Sequence, residues 1–593
     1  MNWDLGKLYA GFDDPALARD AEEARKQIDS AVSAVAALTI PADAKALSHI
    51  VSDLQSITTL LTKVASFTFL TLAVDANNEG ALAFHDKVMH LDMASEQLSS
   101  ALSRYLGSVD DLESLIQADP LLAEHAFMLR EMKNRAAHTI DPALEPTVLK
   151  MQMTGGKESA VGKWLIGLSD VMDSNLMIPF EKDGKVESLP LSAIRGLAYS
   201  ADADVRKRAY EAEIAAYPRI EIPMAACLNG IKGEALTLAG LKHFDSVLDT
   251  ALDVSRMDRA TLDALISALK DSLPMFRRYF RAKAKLLGYE GGLKFYDLFA
   301  PVGESHLTYT LDEARATLIQ VMGKFSKKMA DFIDRAFEER WIDAYPREGK
   351  TGGAFCSGMH PLGISYVMTN FDGSYSSVST LAHELGHAYH NDCLKSESIL
   401  MSDYPMPLAE TASIFNETLL MEKILETADD ATKLTLIEQQ VGDAAQVVVD
   451  ILSRYLFETE VVERRKDHAM TAKELCQIML DAQTQTYGEG LDPDCMHPYM
   501  WACKSHYYST GVHFYNFPYA FGLLFGLGVY AQYLEEGDAF LPKYDALLRA
   551  TGSGNVREVA ASVGIDVTQK SFWESSLNFL EKKIEYLAAG SAR

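Results

Sequence analysis

One short segment, residues 383–387, has the spacing of a metal-binding motif: His-Glu-Leu-Gly-His. On an α-helix, residues four positions apart lie on the same face, about one turn from each other. His383 and His387 can therefore each direct a ring nitrogen to a single Zn²⁺ ion. Glu384 is well placed to hold a water molecule near that ion. The motif arises by chance in roughly a few per cent of chains of this composition, so its surroundings decide its meaning.

A catalytic zinc ion needs a third protein ligand and an open position. Glu410 lies near the start of the next predicted helix, which can fold back beside the histidines. Glu417 is two turns further along the same face of that helix, where it can accept the Nδ1–H of a ligand histidine. The alternative role for Glu410 is a carboxylate stabilised by the helix dipole. Beside the histidine pair, we favour Glu410 as the third ligand.

The surrounding sequence predicts the elements that position this motif. Residues 364–371 are rich in β-branched and aromatic side chains, which predicts a strand. Asp372 and Gly373 then predict a turn, and Ser376 or Ser377 is a candidate cap for the helix that carries the histidines. We therefore expect a strand, a turn and the histidine-bearing helix in that order.

Apolar periodicity predicts that most of the remaining chain is helical. Helical spacing runs from about residue 15 to 135 and again from about 192 to 341. Between them, residues 178–189 centre on Asp183-Gly184, a pair typical of hairpin turns. We place a domain boundary here, which predicts an N-terminal helical domain at 1–190 and a catalytic domain at 191–593.

The composition argues against several classes of partner. The 593 residues carry a formal net charge of −27, so the chain lacks the surplus of cations that neutralises nucleic-acid phosphates. Its six cysteines are scattered, which predicts free thiols in a reducing compartment. No basic and apolar leader is visible, and the longest apolar run, residues 519–530, is too short to span a bilayer. We expect a cytoplasmic protein without a nucleic-acid or membrane partner. The sequence does not determine its oligomeric state.

Several segments together resemble the M3 zinc metallopeptidases, in particular the oligoendopeptidase F branch. The matching segments are residues 366–371 before the predicted helix, 380–388 on it, 410–417 after it and 513–522 downstream. The resemblance extends over the whole chain, although its specific motifs lie between about residues 366 and 522. It implies a mainly α, two-lobed, zincin-like metallopeptidase with a deep central channel and a small β element next to the zinc helix.

The resemblance also implies an activity and a set of site residues. It implies an endopeptidase that cuts internal bonds of short unfolded peptides and binds one Zn²⁺ per chain. The metal ligands would be His383, His387 and Glu410, and the base would be Glu384. Two further residues, His506 and Tyr515, would donate hydrogen bonds to the transition state. Tyr508, His513 and Tyr519 are also candidates for that donor role.

A mechanism follows from these roles. Zinc lowers the pKa of water to near neutrality, and Glu384 would take a proton from that water and pass it to the leaving amine. The donors would hold the oxyanion, and one such donor is worth roughly 3 kcal/mol in comparable sites. The strand at 364–371 would offer an edge on which the peptide backbone lies antiparallel, which predicts broad specificity.

Two other functions remain open from the sequence. A zinc carboxypeptidase or dipeptidase could use the same helical framework. A non-catalytic helical peptide-binding protein could carry a structural zinc ion or none. A structural site would be closed by a fourth protein ligand, and the cysteine that follows the histidine pair, Cys393, lies past the predicted end of the helix.

Overall fold

The computed structural model describes residues 1–141, 143–154, 175–182, 184–303 and 307–590. Helices predominate in these residues, and the strands are few and short, so the mainly α class is confirmed. The chain forms two compact units, each built from three segments. The first unit comprises residues 1–138, 307–426 and 529–565, and the second comprises residues 139–306, 427–528 and 566–593. The division into sequence domains at 190 and 191 stays a prediction.

The helices of residues 15–136 in the first unit pack around one apolar core, which also includes Met359, Tyr366 and Met368. Its first three long helices begin after Asp14, Asp43 and Asn78, whose side chains each accept a backbone N–H of the first turn. The helices of this unit span Pro15–Ala36, Ala44–Val74, Glu79–Gly107, Leu112–Ala118, Pro120–Glu124, Ala126–Ala136, Leu311–Phe325, Lys327–Glu338, Tyr375–Leu394, Met406–Ala409, Thr411–Thr427, Leu541–Ala550 and Val556–Ala561.

The helix Ala44–Val74 is long and apolar enough to cross a bilayer by length and composition alone. A core helix passes the same test, and this helix places Leu47, Ile50 and Leu54 in the core of the first unit. Its apolar composition is therefore explained in part by packing against the neighbouring helices.

Five strands occur in the described residues: β1 (Met177–Lys182), β2 (Lys185–Pro190), β3 (Ile342–Asp343), β4 (Phe355–Met359) and β5 (Ile364–Met368). In the first unit, β3, β5 and β4 form a sheet in that order, with β3 parallel and β4 antiparallel to β5. The predicted strand at 364–371 is therefore β5, the central strand. The expectation that it offers a free edge is wrong, because β4 pairs along all of β5 and is itself the edge strand.

The second unit contains the predicted hairpin. Strands β1 and β2 pair antiparallel, with Met177 opposite Pro190 and Lys182 opposite Lys185. The turn includes Gly184 at φ +74°, while Asp183 lies outside the described residues. The helices of this unit span Glu145–Thr154, Leu191–Gly196, Ala203–Ala216, Glu221–Leu241, Val247–Val254, Arg259–Leu286, Asp430–Ala445, Ile451–Arg465, Ala472–Tyr487 and Lys570–Gly590. The helix Phe517–Glu536 belongs to the second unit up to Gly528.

Candidate active site

The helix Tyr375–Leu394, called the histidine helix below, carries the metal-binding motif. It follows β5 after a turn, as the sequence predicts. Its cap is Ser374, whose hydroxyl accepts the backbone N–H of Ser377, so the predicted caps Ser376 and Ser377 are wrong. Ser374 is fixed in turn by Asp372, whose Oδ1 accepts both the backbone N–H (2.9 Å) and the hydroxyl (2.6 Å) of Ser374. The turn is thus short, and the cap Ser374 directly follows Gly373.

Three side chains of the first unit bring one donor atom each to a common point. The Nε2 atoms of His383 and His387 are 3.2 Å apart. Glu410 Oε2 lies 3.3 Å from His383 Nε2 and 3.5 Å from His387 Nε2. The structure therefore brings together the two histidines and the distant carboxylate that the sequence predicts as ligands.

The helix Thr411–Thr427, called the glutamate helix below, fixes the His383 ring. Glu417 Oε1 lies 3.0 Å from His383 Nδ1, so this nitrogen donates to the carboxylate and Nε2 is the nitrogen left to bind a metal ion. The His387 ring hydrogen-bonds the backbone of Ala409. Both rings are thus oriented by their second nitrogen, with the first directed to the common point.

A glycine lets the glutamate helix approach the histidine helix closely. A Cβ atom on Gly386 would lie 2.6 Å from Ala412 O and 2.7 Å from Ser413 Cα, which a side chain cannot accommodate. Ser413 also donates to Glu410 Oε2 (2.7 Å), and Asn416 donates to the backbone carbonyl of Ala382 (3.3 Å). These two positioning residues do not stand out in the sequence, although Ser413 lies three residues after Glu410, the spacing of neighbours on one helix face.

The second half of the histidine helix is held by the segment 529–565. Tyr389 donates to Asp545 Oδ1 (2.6 Å), and His390 Nε2 lies 2.8 Å from Thr551 Oγ1. His390 also stacks on Tyr404, with ring centroids 4.1 Å apart. His390 is completely buried and has a structural role in this packing.

The donor set fits a zinc ion. Four ligands held tetrahedrally at 2.0–2.1 Å from Zn²⁺ lie about 3.4 Å from one another, and the three observed separations are 3.2, 3.3 and 3.5 Å. The three side chains are 17–24% exposed, which leaves a side open to solvent. Among the described residues, no fourth histidine, cysteine or acidic side chain joins this group. Cys393 instead contacts Asp545 Oδ1 at 3.9 Å, so it does not close the site.

Burial and neighbouring charges shift the pKa values of the three candidate ligands. Burial alone would raise the pKa of Glu410, but the hydrogen bond and charge of the imidazoles lower it to about 2. Burial would lower the pKa of His383, but Glu410 and Glu417 raise it well above the ordinary value. Burial and the neighbouring His383 lower the pKa of His387 to about 4. The pocket therefore stabilises the ionised Glu410 carboxylate next to positive charge. A divalent cation would also supply such a charge.

Glu384 is buried beside this group, with only 6% of its surface exposed. Burial, together with the carboxylates of Glu410 and Glu417, raises its pKa to about 7. Strand β4 packs against the histidine helix, where Asn391 Nδ2 lies 3.8 Å from Cys356 Sγ. The edge strand β4 therefore lies against the helix that carries the base, a contact that the sequence does not predict.

The two predicted transition-state donors lie together in the second unit. The rings of His506 and Tyr515 are stacked, with centroids 5.7 Å apart. The hydroxyls of Tyr515 and Tyr519 are hydrogen-bonded at 2.6 Å. Both tyrosines are only partly buried, so their hydroxyls form a polar pair at the surface of this segment.

Tyr508 and His513, which the sequence also offers as donors, have different surroundings. Tyr508 is fully buried and donates to the backbone carbonyl of Trp501 (3.1 Å), which is typical of a core residue. His513 Nδ1 lies 3.3 Å from Lys232 Nζ, and Lys232 also donates to Glu458 Oε1 (2.6 Å). Burial and Lys232 lower the pKa of His513 to about 3. His506, Tyr515 and Tyr519 are therefore better presented as donors than these two residues.

Comparisons with known proteins agree with this arrangement. The sequence profile of peptidase family M3 matches residues 196–579. Oligopeptidase PepF of Bacillus subtilis is 23% identical over 522 residues, which cover 86% of this chain and 76% of that protein. An oligoendopeptidase F homolog of Lactococcus lactis is 26% identical over 421 residues, which cover 70% of this chain and 69% of that protein.

Solved structures share the fold over almost the whole chain. A structure from Chlamydophila abortus matches with a TM-score of 0.83 at 24% identity and covers 99% of this chain and 98% of that one. Oligoendopeptidase F from Enterococcus faecium matches with a TM-score of 0.66 at 19% identity and covers 96% of each chain. The fold of the described residues is thus that of known helical peptidases.

Proposed function

The chain belongs to peptidase family M3, and from that premise we propose that it is a zinc-dependent oligoendopeptidase that cuts internal bonds of short unfolded peptides. As a member of this family it is a metallopeptidase that hydrolyses peptides. One observation carries the finer proposal: His383, His387 and Glu410 bring three donor atoms to within bonding reach of one ion and leave a side open. One Zn²⁺ per chain fits this donor set.

In this proposal the chain provides the metal ligands and their supports. His383, His387 and Glu410 hold the ion, and Glu417 keeps His383 in the tautomer whose Nε2 can bind it. When bound, zinc lowers the pKa of a water molecule and polarises the scissile carbonyl. Ser413 keeps the Glu410 carboxylate turned toward the histidines.

Glu384 is the proposed general base. Its carboxylate is buried beside the ligand carboxylates, and it can take a proton from the attacking water. The same carboxyl group then passes the proton to the leaving amine. Because Glu384 lies on a buried, packed part of the histidine helix, its side chain has little freedom to leave this position.

His506 and Tyr515 are the proposed donors to the oxyanion, with Tyr519 as the alternative. Each offers an N–H or O–H group, and loss of one such donor costs about 10²- to 10³-fold in kcat in comparable enzymes. In the hydrogen bond between Tyr515 and Tyr519, one hydroxyl donates its proton to the other hydroxyl oxygen. Replacement of either tyrosine with Phe tests which one acts.

The edge strand β4 is the proposed support for the substrate backbone. It replaces β5 in this role, because β4 pairs along all of β5 and β3 pairs with Val367 and Met368 on the other side. Main-chain hydrogen bonds to an edge strand do not depend on side-chain identity, which fits a broad preference for unfolded peptides. The packing of β4 on the histidine helix supports this choice, since Cys356 Sγ lies 3.8 Å from Asn391 Nδ2 of the helix that carries Glu384.

The structure gives no support to a closed structural zinc site, because the described residues supply no fourth ligand. A carboxypeptidase or dipeptidase would use the same three ligands, so products must separate these activities. We propose incubating the protein with matched peptides, one with both termini blocked and one with free termini, with and without a chelator. Mass spectrometry should show chelator-sensitive internal cleavage of both; cleavage of the free peptide alone would contradict endopeptidase activity.

The remaining properties stay predictions from the sequence. These are the cytoplasmic location and the lack of nucleic-acid and membrane partners. The two-lobed form with a deep central channel is likewise an expectation from the family resemblance.

A further inference from the structure

A buried amide joins His506 to a charged pair in the second unit. Asn516 is 6% exposed, and its Nδ2 lies 2.8 Å from His506 Nε2. On the other side, Arg454 Nη1 donates to Asn516 Oδ1 (3.3 Å). Asn516 therefore bridges a guanidinium group and an imidazole ring.

The bridge determines which nitrogen of His506 carries the proton. A guanidinium group has only donors, so it must face the oxygen of the Asn516 amide. The amide NH₂ group then faces His506 Nε2, which must accept this hydrogen bond. In the neutral ring, the remaining proton is consequently on Nδ1.

Arg454 is itself held in place by an acidic side chain. Its guanidinium pairs with the buried carboxylate of Asp450, and Tyr487 also donates to Asp450 (3.3 Å). Asp450 ends a π-helical turn, Gln446–Asp450, that joins the helices Asp430–Ala445 and Ile451–Arg465. Such turns inside α-helices are often found at functional sites.

The charges around His506 keep its ring neutral. Burial lowers the pKa of His506, and the cations Arg454, Lys504 and Lys232 lower it further, to about 3. The carboxylate of Asp450 opposes them only in part. The ring is therefore neutral throughout the physiological pH range, as the hydrogen bond from Asn516 requires.

The proton on Nδ1 is left available. Within the described parts of the chain, His506 Nδ1 makes no hydrogen bond, while the ring packs against Tyr507 at an interplanar angle of 52°, with centroids 4.4 Å apart. The stack on Tyr515 restrains the ring on the side of the predicted tyrosine donor. His506 thus combines a fixed ring with one unused N–H donor.

We propose that Arg454 and Asn516 are positioning residues that hold His506 as the neutral tautomer protonated on Nδ1, so that Nδ1 is the atom that donates to the substrate carbonyl. This inference rests on the proposed role of His506 in peptide hydrolysis. It adds two residues and a defined donor atom to that role.

The substitution Asn516→Asp tests the proposal with almost no change in shape. Its carboxylate still accepts from Arg454 but now also accepts from His506, so the ring proton moves to Nε2 and the pKa of His506 rises. Long-range ¹⁵N–¹H spectra of ¹⁵N-histidine-labelled protein identify the protonated ring nitrogen. The His506 signals are assigned by their loss in His506→Gln. The expected result is a reversed tautomer, a fall in kcat between about 10- and 100-fold and little change in KM.

The substitution Arg454→Met tests the other end of the bridge. It frees the Asn516 amide to turn over, so both tautomers of His506 should appear in the spectra. With one cation removed, the pKa of His506 should also rise toward its ordinary value, and the pH profile of kcat should gain an inflection on the acid side. The matched control is Arg206→Met, which breaks the more deeply buried Arg206–Asp297 pair (2.7 Å) of the same unit. The control should lose stability and keep the His506 tautomer.

Two results would overturn the proposal: retention of the Nδ1 proton in Asn516→Asp, or a reversed tautomer with unchanged kcat. The spectra do not depend on turnover or on zinc. Failure of the proposed function would appear separately, as wild-type protein without chelator-sensitive cleavage of peptides.

Discussion

His383 Nδ1 lies 3.0 Å from Glu417 Oε1, although the two residues belong to different helices. This contact predicts the effect of Glu417→Gln, which removes the charge that orients the ring. Zinc affinity should fall about 10- to 100-fold, because supports of this kind fix the ligand tautomer. Titration against a competing chelator measures the change. Glu426→Gln is the control, since Glu426 is an exposed residue of the same helix that pairs with Lys423; equal affinities in the two variants would contradict the assignment.

Glu384→Gln should separate metal binding from turnover. Glutamine keeps the size of the side chain but cannot accept the proton, so kcat should fall by at least about 10²-fold. The zinc content should stay at one per chain, because Glu384 is not among the three grouped donors. Steady-state kinetics and elemental analysis of the same sample provide both values. Full activity in this variant would refute Glu384 as the base.

Gly386→Ala should disturb the contact between the two helices of the site. The new Cβ atom would lie 2.6 Å from Ala412 O, a backbone atom that cannot turn aside. We expect a loss of about 1–3 kcal/mol in the free energy of unfolding. Zinc affinity should fall as well, since Glu410 and Glu417 shift with the glutamate helix.

A second helical glycine provides the matched control for this prediction. A Cβ atom on Gly323 would lie 3.5 Å from Ala330 Cβ, an ordinary contact. Gly323→Ala should therefore stabilise the protein by about 0.5–1 kcal/mol, as alanine usually does in a helix. Denaturant titration of both variants checks the pair. Equal effects of the two substitutions would show that the close approach at Gly386 does not matter.

A buried carboxylate of the second unit predicts how stability depends on pH. Glu213 is buried, yet His497 and Arg195 lower its pKa from 4.5 to about 2. Because the pKa is lower in the folded state, the stabilisation is complete above pH 4.5 and is lost as the pH falls toward 2. It amounts to about 3 kcal/mol.

Glu213→Gln should remove most of this dependence. The variant should be less stable than wild type at pH 7 and show a weaker loss of stability on acidification. Denaturant titrations at several pH values measure both effects. Glu460→Gln is the control, because Glu460 forms an exposed pair with Arg464. The prediction fails if Glu213→Gln and wild type lose stability in parallel.

The grouping of residues at the candidate metal site was largely predictable from sequence because its signals are local. His383 and His387 are one helical turn apart, and Glu410 and Glu417 are two turns apart on the neighbouring helix. The break of the helix at Glu410 was not foreseen. Next to this break, Ser413 Oγ lies 3.1 Å from the backbone oxygen and 2.7 Å from Oε2 of Glu410.

The role of the small sheet was misjudged because strand pairing is not local. Strand β4 lies in a glycine-rich stretch that has the sequence of a loop, and only its pairing with β5 makes it a strand. The sequence therefore predicted β5 but could not show that β4 covers its edge. The bridge from Arg454 to His506 was hidden for the same reason, since Asn516 joins residues that are far apart along the chain.

The anchoring of the histidine helix on Asp545 and Thr551 has a consequence during synthesis of the protein. These two residues leave the ribosome more than 150 residues after Tyr389 and His390. A nascent chain can therefore contain every metal ligand and still lack the support behind them. The packing that fixes the histidine helix is thus completed only when translation is nearly finished.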